Sequence, residues 1–409
     1  MKENVFETSE SKTISFNHPS GATKELMLYK YRMKNYKAFH DSGWIRVTGI
    51  VMFYGSNSAG KTALHHPLLL LDRAYRYEKS QGDISSIAEL DDHNAEYSDI
   101  INQQHKDEDI TISFGFVDDA GFDYCYNITF DAQGCKSVSV TYAGDSYELT
   151  GYYDFHNVFF AYRTNQSIDD SLNNIVKAIM ASLRRFAENF VYLDPIRVEP
   201  QREYQFHGIA SKDIGKKGEK TYDILYSLID GNTIKNHMIK KWINVFNYDL
   251  KWQESGINRG KFVLEDMRTG SQTNLIDNGF GIGQSLPVIV ALSTVNDKRI
   301  LIDSPEAFLQ TRAQGEMADY IIDSFTHNNS IIVETSSEYL LYRIRRRIVE
   351  GIIQAQDVSI YFVDTDRGDD TKCNYIAIDD HGNLGRDNED FNLFFSTNFD
   401  DLRAISYGG

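Results

Sequence analysis

Apolar positions in this chain come mostly in short runs divided by polar turns, and the period of the runs changes along its length. Ile50-Val51-Met52-Phe53 is continuous, as a strand buried on both faces requires, and Leu64 with Leu68-Leu69-Leu70-Leu71 beyond it suits a buried helix. Met27-Leu28-Tyr29-Lys30-Tyr31 and Trp44-Ile45-Arg46-Val47 read as short strands leading to that pair, behind a polar segment 1–20 expected at the periphery. The segment 63–105 begins helical and then turns irregular and acidic, with Glu89, Asp91 and Asp92. Over residues 109–152 the pattern alternates, in runs such as Ile110-Thr111-Ile112-Ser113-Phe114 and Tyr124-Cys125-Tyr126-Asn127-Ile128, which predicts antiparallel hairpins. Helical spacing follows: Ile168, Leu172, Ile175, Ile179, Leu183 and Phe186 predict a long amphipathic helix that ends at strand-like Phe190-Val191-Tyr192-Leu193. Residues 211–260 read as helical and charged around Lys240-Lys241-Trp242, with no heptad run long enough for a coiled-coil arm. From about Lys261 strand and helix alternate again, and Arg299-Ile300-Leu301-Ile302-Asp303 and Ser330-Ile331-Ile332-Val333-Glu334 complete a parallel-sheet pattern. The expected fold class is α/β, with the first buried strand meeting these later ones across an intervening lobe.

A chain of 409 residues fits one large α/β domain with an inserted lobe as well as two domains. Its 41% hydrophobic and 13% aromatic content, with only six prolines, excludes extended disorder. The net charge of −17 makes the whole molecule a poor nonspecific polyanion binder, so any contact with nucleic acid needs a local basic face. Cys125, Cys135 and Cys373 lack metal-ligand spacing, which fits a reducing compartment and argues against structural zinc. Met1-Lys2-Glu3-Asn4 opens no basic-then-apolar leader, and no run approaches the ~18 to 20 apolar residues of a membrane helix. The expectation is a cytoplasmic protein without a membrane partner.

The chemistry enters at Gly55-Ser56-Asn57-Ser58-Ala59-Gly60-Lys61-Thr62, a complete G-x-x-x-x-G-K-S/T loop directly after the first buried strand. In that setting the backbone N–H groups of Gly55, Ser56, Asn57, Ser58, Ala59 and Gly60 would wrap phosphates at a helix N-terminus. Lys61 would reach the β- and γ-phosphates, and the Thr62 hydroxyl would take a position on Mg²⁺. A second apolar strand, Ile300-Leu301-Ile302, ends in Asp303 and is followed by Ser304-Pro305-Glu306, as a Walker B segment requires of its metal-side carboxylate. The alternative for Asp303 is an ordinary helix cap.

With these motifs in order, the chain resembles the ABC/SMC-type ATPases of the bacterial OLD-like defence group, in the branch that lacks a nuclease domain and ends in a small cap. The resemblance spans nearly the whole chain. Lys34-Asn35-Tyr36-Lys37-Ala38-Phe39 is similar to the family's opening strand and turn, and Tyr192-Leu193-Asp194-Pro195-Ile196-Arg197, with Pro200, Arg202 and Tyr204, to its Leu-Gly-Pro-hydrophobic-Arg segment. Gly218-Glu219 follows. Asp277-Asn278-Gly279-Phe280-Gly281-Ile282-Gly283-Gln284 with Leu286-Pro287 resembles the signature loop and helix, and Val333-Glu334-Thr335 with Ser337-Glu338 the switch strand. Ile376-Ala377-Ile378-Asp379, Gly382 and Phe394-Phe395 resemble the terminal cap.

The resemblance implies a RecA-like ABC ATPase head with an inserted antiparallel β and helical lobe. Its segments would be the first part of the head (1–108), the lobe (109–260), the second part of the head (261–357) and the cap (358–409). It implies ATP and Mg²⁺ as cofactors, Gly281, Gly283, Gln284 and Ser336 at the nucleotide, Gln104 beside the metal with its neighbour Gln103, and Lys61 and Glu306 as catalytic groups. Two heads would sandwich two nucleotides, so a homodimer or higher oligomer is expected, with a separate effector, a nuclease or toxin, in anti-phage defence. Two other functions remain open: an ATP-locked scaffold that restrains such an effector, and a DNA-repair head.

Three departures from the pattern sit at the chemistry. Ser304 stands where the general-base Glu follows the Walker B acid, Ser336 stands in place of the switch His, and Gly283 in place of the signature Ser. A hydroxyl of ordinary pKa cannot take a proton near neutrality as a carboxylate can. Slow turnover with intact ATP·Mg²⁺ binding is the expectation, with Glu306 the substitute base. Elsewhere, Pro67 predicts a kink where its ring meets the carbonyl of Ala63, and the adjacent His65 and His66 face different ways on a helix, which disfavours a shared metal. Arg197 and Arg202 are expected to hold structure by carboxylate pairing or to position nucleotide. Arg343-Ile344-Arg345-Arg346-Arg347 is a solvated helix face or a DNA contact. Asp364, Asp366, Asp369 and Asp370 read as acidic turns rather than as a metal nuclease, since the stretch is too short for a Toprim-type domain.

Overall fold

The computed structural model describes residues 25–56, 58–80, 87–90, 95–149, 157–160, 170–206, 213–231, 233–365 and 370–385. It divides the chain into two compact units, one of Met1–Ile45 with Ala63–Glu188 and the other of Arg46–Thr62 with Asn189–Gly409. Along the chain come β1 (Met27–Tyr36), β2 (Phe39–Asp41), β3 (Ile45–Arg46), β4 (Ile50–Gly55), α1 (Lys61–Ser80), α2 (Tyr97–Ile100), β5 (Ile110–Val117), β6 (Asp123–Asp131), β7 (Gly134–Tyr142), β8 (Asp145–Glu148), α3 (Asn157–Phe160) and α4 (Asp170–Glu188).

The first unit is built on an antiparallel sheet ordered β2-β1-β5-β6-β7-β8. Its alternating sequence does what a half-buried strand should: Ile110, Ile112, Phe114 and Phe116 are buried on β5, and Tyr124, Tyr126, Ile128 and Phe130 on β6. The expected amphipathic helix is α4, whose Leu172, Val176, Ile179 and Leu183 are buried; Ile168 lies outside the described residues. Pro67 falls inside α1, and the hydroxyl of Tyr31 donates to the neighbouring Leu64 carbonyl at 2.6 Å. His65 is wholly buried, which drives its pKa well down and keeps it neutral, while His66 faces the Tyr36 hydroxyl at 3.3 Å.

The second unit continues with β9 (Phe190–Leu193), β10 (Tyr204–Gln205), α5 (Thr221–Ser227), β11 (Ile229–Asp230), β12 (Thr233–Ile234), α6 (His237–Asn244), β13 (Tyr248–Gly256), β14 (Arg259–Asp266), β15 (Gln272–Asn274) and α7 (Phe280–Thr294). It ends with β16 (Arg299–Asp303), α8 (Thr311–Thr326), β17 (Ser330–Glu334), α9 (Glu338–Val349), β18 (Val358–Asp364) and β19 (Lys372–Ile376). Its main sheet is ordered β19-β18-β4-β17-β16-β9, with every pair parallel except β18 and β19. The parallel core pattern expected from Ile50, Ile300 and Ile331 is therefore present, and these three residues are fully buried on their strands. Val358–Asp364, placed by the sequence segmentation in a terminal cap, is a strand of this sheet beside β4.

A second sheet of this unit runs β10-β14-β13-β12-β11, with β15 on β14, over an aromatic cluster of Tyr204, Phe206, Tyr222, Trp252 and Phe262. Here the helical expectation for 211–260 needs correction. Among the described residues of that segment only α5 and α6 are α-helical, whereas Tyr248–Gly256 is a strand. Lys240-Lys241-Trp242 do lie in α6, but on β13 Leu250 and Trp252 alternate inward, and on the other face Lys251 meets Glu265 across the strands at 2.8 Å.

Candidate functional site

β4 delivers the chain into the phosphate loop at Gly55, whose φ is +153° and where a Cβ would lie 2.4 Å from the Val363 carbonyl oxygen. Only glycine fits there. The loop turns back through Ser58 and Gly60, both at positive φ, and α1 begins at Lys61; Asn57 lies outside the described residues. Lys61 is 7% exposed and curls over the loop, its Nζ donating to the carbonyl oxygens of Gly55 and Ser56 at 2.9 Å each. Backbone N–H groups at a helix N-terminus with a buried ammonium beside them are suited to an anion.

The acids come from the neighbouring strand ends. β17 lies between β4 and β16, so its last residue, Glu334, stands opposite Phe53 on one side and Asp303 on the other. Thr62 Oγ1 donates to Glu334 Oε1 at 3.3 Å. Asp303 is buried and accepts from the Ser304 hydroxyl at 2.7 Å, while Ser304 N donates to the Glu334 carbonyl at 2.8 Å. Glu306 Oε1 accepts from Thr335 Oγ1 at 2.7 Å and from Ser336 N at 3.0 Å, and its Oε2 is buried without a hydrogen-bond partner. Burial raises the pKa of all three carboxyl groups. Glu334 is pushed up to about 7, by burial first and by the charge of Asp303 next, with Lys61 pulling the other way.

On the far side of Asp303, the buried Arg197 bonds to backbone rather than to a carboxylate. Its Nη2 donates to the carbonyl oxygens of Asp303, at 2.6 Å, and Ser304, at 3.3 Å. Burial lowers its pKa to about 10, opposed by the charges of Asp303, Glu306 and Asp194. Gln284, expected at the nucleotide, is buried, and both ends of its amide are taken up by the Arg197 backbone: Arg197 N donates to its Oε1 and its Nε2 donates to Arg197 O, each at 2.8 Å. Within this unit the side chain ties α7 to the Arg197 segment. Gly281 and Gly283 lie in the first turn of α7, where a Cβ would come within 2.8 Å of the Phe308 carbonyl and 3.0 Å of Pro200 respectively.

The structure thus brings together Lys61, Thr62, Asp303, Glu306 and the exposed Ser336 within one unit. Gln104 belongs to the other unit, exposed in the turn after α2, with its backbone N–H on Asn102 Oδ1 at 2.9 Å. Arg202 forms a two-pronged pair with Asp277. In the arginine run, Arg343 and Arg347 pair with Asp319, Arg346 with Glu350, and Arg345 donates to the Gly382 carbonyl. Of the C-terminal acids, Asp364 accepts from Thr365 N at 2.9 Å, and Asp366, Asp369 and Phe394-Phe395 of the cap lie outside the described residues. The residue that sequence reasoning leaves out of the site is Glu334. Its signal is an apolar strand ending in an acid, just as β16 ends in Asp303, but in the linear pattern that segment reads only as a switch strand.

No protein-family model and no curated protein matches the chain. Among solved structures it is similar to an SMC head bound to the C-terminal winged-helix domain of ScpA, at 14% identity and a TM-score of 0.46, over 86% of this chain and 98% of the other. An SMC head with an extended coiled coil, bound to the C-terminal domain of ScpA from Pyrococcus furiosus, is 12% identical at a TM-score of 0.44, over 86% of this chain and 96% of the other. The SMC head domain from Thermotoga maritima is 10% identical at 0.40, over 86% and 99%. At such scores the likeness is descriptive, and the phosphate loop and its acids stand on their own geometry.

Proposed function

We propose that the chain is a nucleotide-gated ATPase head that binds ATP with Mg²⁺ and turns it over slowly. One observation carries this: the loop that ends β4 sets the buried Lys61 ammonium and the Thr62 hydroxyl against the acids that end β16 and β17. The donor set fits the cofactors, since hydroxyl and carboxylate oxygens are what a hard divalent ion selects and a glycine loop at a helix start is what phosphate selects. Lys61 would exchange its two carbonyl partners for phosphate oxygens, and Thr62 and Asp303 would hold the metal. Bound Mg²⁺ would supply neutralisation of charge on the phosphates. Turnover is slow because the Ser304 hydroxyl is bonded to Asp303 and cannot act as a base, and Glu306 has one oxygen held by Thr335 and Ser336, leaving only Oε2.

The wider role follows from the family resemblance: a sensor or regulator in anti-phage defence, working as a homodimer or larger assembly of heads with a separate nuclease or toxin. Gly281, Gly283 and Ser336 would face the nucleotide across that assembly, and Gln104 would approach the metal. An ATP-locked scaffold differs only in releasing no phosphate. A DNA-repair head is less favoured, because the arginine run that would meet DNA is paired within the chain.

Titration with a fluorescent ATP analogue and Mg²⁺, alongside phosphate release, tests the proposal. Wild type should bind, Lys61→Ala should lose roughly ten- to a hundred-fold in affinity with the loss of a charged hydrogen-bond donor, and turnover should stay far below about 1 s⁻¹. Equal binding by Lys61→Ala would overturn it.

A further inference from the structure

The strand between the phosphate-loop strand and the Asp303 strand supplies an acid of its own. Glu334 ends the strand between the phosphate-loop strand and the Asp303 strand, in register with Asp303, and its Oε1 receives the hydrogen bond of the Thr62 hydroxyl. It is buried, and its carboxyl group meets Thr62 in the first turn of α1 while its backbone pairs with Asp303 at the end of β16. We propose that Glu334 is a third oxygen ligand of the divalent metal, supplied by β17 beside Thr62 and Asp303. This rests on the proposed nucleotide site and adds to it a residue that the phosphate loop and Walker B patterns do not contain.

Two further observations point to a cation there. The orphaned Oε2 of Glu306 is buried, and its partner oxygen is held by Thr335 and Ser336 just beyond the end of β17. Lys61 donates to the Gly55 and Ser56 carbonyls and Arg197 to the Asp303 and Ser304 carbonyls, so both cationic groups are engaged with backbone. A divalent ion held by Thr62, Asp303 and Glu334 would add positive charge among these acids and use hard oxygen donors alone.

The test is binding of Mn²⁺, read by electron paramagnetic resonance, in the presence of a non-hydrolysable ATP analogue. Glu334→Ala and Glu334→Gln should each weaken Mn²⁺ roughly ten- to a hundred-fold, as Asp303→Asn does, while the analogue without metal binds as well as to wild type or better. Glu334→Gln separates ligation from positioning, because its amide oxygen still accepts from Thr62. Wild-type Mn²⁺ affinity in folded Glu334→Gln would overturn ligation by Glu334 and leave the nucleotide site standing. Failure of wild type to bind the analogue at all would overturn both.

Discussion

Ser304 sits at φ +50° with its hydroxyl on Asp303 and its N–H on the Glu334 carbonyl, so it fastens the two strand ends where a base would otherwise project. Burial and the charge of Asp303 hold the folded pKa of the neighbouring Glu334 at about 7, above the ordinary glutamate value of about 4.3. The folded chain holds a proton there that the unfolded chain has already released, so this stabilisation is complete below about pH 4.3 and is lost as pH rises through about 7. The melting temperature of metal-free protein should therefore fall between about pH 5 and 8, and the fall should shrink in Glu334→Gln. An equal fall in both would contradict the buried carboxyl. Gly283 answers to space as well as to chemistry: with its Cβ 3.0 Å from Pro200, Gly283→Ser should lose about 1–3 kcal/mol in urea unfolding, and an unchanged midpoint would mean that Pro200 yields.

At the scale of elements, Arg197 is the junction between the start of α7 and the turn after β16, through Gln284 on one side and the Asp303 and Ser304 carbonyls on the other. Arg197→Met should lower stability by about 2–3 kcal/mol, measured by chemical denaturation, as its charged hydrogen bonds disappear. A change within about 0.5 kcal/mol would assign the junction to packing alone. The hairpins of residues 110–142 and helix α4 are legible in the sequence because a period of two or of 3.6 survives wherever one face is buried. β13 is not, since Lys251 and Gln253 on its other face hide the inward Leu250 and Trp252. The phosphate loop and Asp303 are legible as contiguous motifs. The nearness of Glu334 to Thr62, and the capture of Gln284 by Arg197, are tertiary facts that come from strand order and helix packing and leave no contiguous trace.

For the molecule as a whole, the charge of −17 and the internal pairing of Arg343, Arg346 and Arg347 leave little attraction for a polyanion. Duplex DNA at physiological salt should neither bind measurably nor stimulate phosphate release; salt-sensitive binding that Arg345→Glu with Arg346→Glu removes would restore the DNA-contact proposal. Among the described residues no helix is long and apolar enough to cross a membrane. What the chain is proposed to do is hold ATP and release it slowly as product, and the direct measurement is the identity of the bound nucleotide over time after mixing with radiolabelled ATP and Mg²⁺. The expected result is near-stoichiometric nucleotide, still mainly ATP after about a minute, as turnover far below about 1 s⁻¹ requires, and much less retained by Lys61→Ala. Conversion to ADP within seconds, or equal retention by Lys61→Ala, would contradict it.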